Sequence, residues 1–82
     1  MDTDTLVRMA NDIGQFFAAM PEREEALDGV ATHLRRYWTP AMRVALLARL
    51  DADEAPGLEP LVAQALKTRR AQLLPASPPS RA

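Results

Sequence analysis

Cysteine is absent from this 82-residue chain. Neither a disulfide nor a thiolate-bound metal can therefore staple it. Histidine occurs once, as His33, and a metal site needs two or more converging His, Cys or carboxylate ligands. The residues one helical turn from His33 are Gly29, Val30, Arg36 and Tyr37, none of them acidic. Both serines, Ser77 and Ser80, lie in the last residues, so a Ser or Cys nucleophile is missing from the body of the chain. Thr3, Thr5, Thr32, Thr39 and Thr68 have no obvious base nearby, and Asp28 lies on a different face from His33. The three glycines are isolated, which excludes a glycine-rich phosphate loop. No apolar run approaches the ~18–20 residues that a membrane span needs. The opening "MDTDTL" is neither a signal nor a transit sequence. The expectation is a soluble intracellular protein without catalytic, cofactor or metal-ligating residues of its own.

A chain of this size holds one domain or less, and a single core of that size supplies only ~3–5 kcal/mol net. A bound partner is a natural source of further stability. Net charge is −1, which exerts no overall pull toward nucleic acid or acidic lipid. The charge is nonetheless directional. Met1 to Asp28 holds seven acids and two Arg, whereas Gly29 to Leu50 holds four Arg and no acid. Two readings stand: a docking surface, or acids early and bases late in helices, matching the helix dipole.

Apolar residues recur with a helical period throughout. In the first segment Leu6, Met9, Ile13, Phe16 or Phe17, and Met20 form the stripe, Asp2 or Thr3 caps the start and Pro21 ends it. A second helix runs from about Pro21 to Trp38, with Pro21 at its first position and Leu27, Val30, Ala31, Leu34 and Trp38 facing inward. Thr39-Pro40 is a strong start signal, and a third helix runs to about Leu50 with Met42, Leu46, Leu47 and Leu50 apolar. "DADEAPG" reads as a loop. A weaker fourth helix covers roughly Glu59 to Gln72, with Leu61, Val62, Ala65, Leu66 and Leu73 inward. The fold class is all-α: a small bundle of three main helices plus a weaker fourth over residues 1–74. "PASPPSRA", residues 75–82, has little to bury and reads as a disordered tail. If the first turn centres near Pro21, Gly14 and Gly29 lie at one level of the helical hairpin. That level permits either close helix approach or two tolerated, exposed glycines.

The stretch "HLRRYWTPAMR", His33 to Arg43, gathers the single His, Trp and Tyr with three of the ten Lys/Arg residues. Arg, Trp and Tyr are enriched at binding hot spots. His33, Arg35, Arg36, Tyr37, Trp38, Pro40 and Arg43 are the candidate partner-binding residues. Trp38 is equally suited to be the largest core residue, and an apolar face of "MANDIGQFF" is the alternative docking surface. Nucleic-acid binding by a helix-turn-helix is disfavoured, because "PAMRVALLARL" is too apolar for a groove and the net charge is wrong. A free-standing helical adaptor or regulator remains a second reading.

"LVRMANDIGQFF" (Leu6–Phe17) and "HLRRYWTPAMR" together resemble the small delta subunit of soluble, NAD-dependent, molybdenum-containing formate dehydrogenases. The resemblance continues through "LARLDAD" and "GLEPLVAQAL", over about residues 4–66. Where the family has Phe before the Trp and Arg between Pro and Met, this chain has Tyr37 and Ala41. The tyrosine keeps an aromatic ring; the alanine removes a basic group. The resemblance implies a cytoplasmic complex that oxidises formate and reduces NAD. Its large subunit carries molybdopterin guanine dinucleotide and iron–sulfur clusters, and other subunits carry FMN and further clusters. It implies that the delta subunit holds no cofactor, binds the large catalytic subunit, stabilises the complex and supports assembly or cofactor loading.

Overall fold

The computed structural model describes residues 2–74. The all-α expectation holds, and the candidate tail lies outside the described residues. In chain order the helices are α1 Thr3–Phe17, α2 Arg23–Tyr37, α3 Pro40–Asp51, α4 Pro60–Thr68 and the single turn α5 Arg70–Leu73. Helix α2 is central and packs against the other four.

Local chemistry sets most of the boundaries. Asp2 caps α1 by accepting the Asp4 amide at 3.2 Å. Helix α1 ends before the proline, at Phe17, because the Met20 amide donates to the Phe17 carbonyl and closes a turn there. Pro21 consequently stands outside α2 and is not its first residue. Glu22, in extended conformation, is the N-cap residue, and its carbonyl accepts from Ala26. Acidic Glu24 and Glu25 occupy the first turn of α2, and Arg35 and Arg36 the last, as dipole matching asks. The helix stops at Tyr37; Trp38 and Thr39 are extended, the conformation a residue before proline favours. Thr39 then caps α3 by accepting the Met42 amide at 3.2 Å, with Pro40 following. Replacing this cap by alanine should cost ~1 kcal/mol. In a domain this small, Thr39→Ala should therefore lower the melting temperature by roughly 4–8 °C, measured by circular dichroism. An unchanged melting curve would mean that the cap carries no stability.

The loop before α4 is tied to α1 by one side chain. Asn11 donates its amide to the Gly57 carbonyl and accepts from the Glu59 amide, each at 2.8 Å. Gly57 has φ +85°, a region that glycine enters without steric cost. The expected fourth helix is in fact two. Arg69 leaves helical geometry (φ −114°, ψ 25°) while its guanidinium reaches back to Asp28 at 2.6 Å and Glu24 at 2.8 Å on α2. The chain turns at that point, and Leu73 enters the core.

That core takes Leu27, Val30, Ala31 and Leu34 from α2 and Trp38 from just after it, with Leu61, Val62, Ala65, Leu66 and Leu73 from α4 and α5, as their spacing indicates. Leu46 and Leu47 of α3 are buried, whereas Met42 and Leu50 only border the cluster. Each fully buried Leu or Val contributes about 1.5–3 kcal/mol relative to its exposed state. The stripe on α1 is rotated from the one expected. Its innermost residues are Leu6, Val7, Ala10 and Gly14; Met9, Ile13 and Phe17 flank them, and Phe16 and Met20 face outward. Large apolar side chains dominate a periodicity reading, but the closest helix contacts here fall on small residues. Gly14 and Gly29 both serve close packing, though not with each other. A Cβ on Gly14 would overlap the Cγ2 of buried Val62 in α4, and one on Gly29 would overlap the ring of Phe17.

Candidate functional site

The outward turn of α1 leaves Phe16 exposed at the end of the helix, next to Phe17. On α2, His33 and Tyr37 are one turn apart and share a face. The four rings form a continuous run across the α1–α2 seam. The Phe16 and Phe17 centroids are 5.0 Å apart and edge-on, Phe17 and His33 6.3 Å, and His33 and Tyr37 4.8 Å. Asp12 and Ile13 complete a shallow groove along this run. A second depression continues from it past Gly29 and Thr32 to Arg36. Phe16 is 74% and Tyr37 70% exposed. Such exposure of large aromatic area runs against the hydrophobic effect and marks a surface suited to a partner.

The candidate partner-binding residues divide. His33, Arg36 and Tyr37 lie together on or beside the groove. Arg35 is exposed on another face of α2, and Pro40 is exposed at the start of α3. Trp38 is 6% exposed and belongs to the core. Arg43 is 9% exposed, with Nη1 donating to the Arg35 carbonyl at 3.1 Å. Phe16, Phe17, Asp12 and Ile13 are absent from the seven candidate residues but lie in "MANDIGQFF", the alternative docking surface. The doublet itself was a signal: consecutive helical residues point about 100° apart, so Phe16 and Phe17 cannot both face one core.

The other charges show why the basic block is smaller in space than in sequence. Arg49 binds Asp4 at 2.7 Å and also donates to Thr3 Oγ1 and the Glu54 carbonyl. Arg69 bridges Glu24 and Asp28, and Arg70 holds Asp51 through two hydrogen bonds. Hydrogen bonding from Arg70 lowers the Asp51 pKa. Bonds that Arg69 donates to Asp28 and then Glu24 raise its own. Within the Gly29–Leu50 block, Arg35 and Arg36 keep exposed guanidinium groups free of ion pairs among the described residues.

The chain does not suit a metal or an iron–sulfur cluster. It has no thiolate, and among the described residues no three His, Cys, Asp or Glu side chains are grouped to hold an ion. Among the described residues no helix is long and apolar enough to cross a membrane. Fold and surface together define a small all-α protein with an aromatic seam and, among the described residues, no ligand cluster. Residues 5–66 match the family model of the "NADH-dependant formate dehydrogenase delta subunit FdsD". The chain belongs to that family and is a delta subunit of an NAD-dependent formate dehydrogenase. No curated protein and no solved structure matches it. As a delta subunit it has partners in that complex.

Proposed function

We propose that this chain is a non-catalytic accessory subunit that docks on the large, molybdenum-containing subunit of a cytoplasmic formate dehydrogenase. Docking stabilises the complex and supports its assembly or the loading of its cofactor. The molybdopterin guanine dinucleotide, iron–sulfur clusters and FMN of the parent enzyme reside in its other subunits, and electrons pass to NAD without involving this chain. The observation that carries the reading is the exposed aromatic run Phe16–Phe17–His33–Tyr37 on a chain of this family. Phe16 and Tyr37 are rigid anchors that desolvate on contact. Arg36 stands at the edge of the same surface, where it steers an acidic partner. Arg35, Trp38 and Pro40 support the docking face from the last turn of α2 and the corner after it.

Co-expression with the large subunit tests this. Phe16→Ala and Tyr37→Ala, combined, should leave the melting temperature near that of the unmodified chain, because both rings are largely in solvent. Association with the large subunit should weaken by tenfold or more, about 1.4 kcal/mol. Formate oxidation in cells should fall with it. Undiminished association of the folded variant would show that the aromatic seam is not the docking face.

A further inference from the structure

Arg43 is the one buried charged residue among those described, and none of them neutralises it. Its residue is 9% exposed. A guanidinium has five N–H donors. One of the Nη1 donors meets the Arg35 carbonyl at 3.1 Å, where the C-terminal end of α2 meets α3. The Nε donor is sealed from solvent with no hydrogen-bond partner. Nη2 has no partner among the described residues either, and it is not sealed in that way. No acid occurs between Gly29 and Leu50. The four described ion pairs engage Arg49, Arg69 and Arg70 and leave Arg43 out. A buried cation with neither counter-ion nor a full set of acceptors is costly, and natural chains keep such groups where something else completes them.

The two unfilled positions, Nε and Nη2, form one edge of the guanidinium. That edge matches the two oxygens of a carboxylate through parallel hydrogen bonds. Neighbouring chemistry favours the same ligand: Arg35 and Arg36 precede the corner, are exposed and carry no ion pair. The last turn of α2 connects the corner to the aromatic seam, since Tyr37 lines the groove and Arg35 supplies the carbonyl that holds Arg43.

We infer that Arg43 is a receptor for one carboxylate side chain of the large subunit, at the α2–α3 corner; the inference rests on the docking proposed above. The carboxylate meets the accessible Nη2 first, and Nε completes the pair as the cover over that donor moves aside. An uncompensated cation in the free chain thereby becomes a neutralised pair in the complex.

The test pairs stability with association, using the full chain co-expressed with the large subunit. Arg43→Met keeps the length and removes the charge. It should leave the melting temperature of the free chain unchanged or raised, and weaken association by tenfold or more. Arg43→Lys keeps the charge without the two-point edge. It should bind better than the Met variant and less well than arginine. A Met variant that fails to fold would show that the guanidinium is needed inside the free chain, and would overturn the inference. So would full association of both variants. If the Phe16/Tyr37 variant loses association and Arg43→Met does not, the docking face stands and only this inference fails. If neither loses it, the docking reading itself is wrong.

Discussion

Trp38→Ala should unfold the chain. The indole is 6% exposed and sits among the core residues at the point where α2 ends and α3 has not begun. Truncating a buried Trp to Ala costs about 3–5 kcal/mol. A single core of this size has a net stability of only ~3–5 kcal/mol. The two figures meet, so the variant should lack a cooperative thermal transition in far-ultraviolet circular dichroism and be recovered poorly unless partnered. The same substitution, read from the sequence as loss of a docking contact, would leave the fold intact. A Trp38→Ala chain that melts cooperatively within a few degrees of the unmodified one would return the indole to the list of available binding groups.

Gly14→Leu should clearly destabilise the chain, while Gly29→Ala should be mild. Both glycines are helical, and either substitution brings a gain in helix propensity of about 1 kcal/mol. The neighbours decide the difference. At Gly14 even a Cβ would overlap Val62, which is fully buried and, as a β-branched residue, stiff at χ1. A leucine there must push α1 and α4 apart, and overpacking of this kind costs about 1–3 kcal/mol or more. At Gly29 the obstacle is the ring of half-buried Phe17, which can swing toward solvent. Thermal melts of the two variants should therefore separate clearly, with Gly14→Leu the lower by many degrees. Equal melting temperatures would mean that the α1–α4 contact at Val62 does not bear on stability.

The four longer helices, the corner at Thr39-Pro40 and the inward faces of α2 and α4 were legible because each rests on local rules: period, caps and the constraint before proline. The α1 face was not. Its contact surface is set by Ala10 and Gly14, whose importance lies in what α2 and α4 bring close to them. The split between α4 and α5 was hidden for a related reason, since Arg69 leaves helical geometry while its partners, Glu24 and Asp28, lie some 40 positions earlier. The basic block looked like one surface because sequence distance ignores pairing. Arg49 is engaged by Asp4, and Arg43 is folded under the end of α2. His33 and Tyr37 are one turn apart on one helix and could be read as neighbours, whereas their continuation into Phe17 and Phe16 crosses between helices.

The family model matches residues 5–66, yet the architecture does not close at Leu66. Leu73 is wholly buried in the core cluster, and the turn that delivers it is latched from both sides, by Arg69 onto α2 and by Arg70 onto Asp51 at the end of α3. Those eight positions, 67–74, act as a stopper: two cationic hooks and one leucine seat a single turn of helix against α2, α3 and α4. The region that identifies the family is thus smaller than the region that keeps water out of it. An 82-residue delta chain trimmed to its family signature would carry the aromatic seam on a leaking frame.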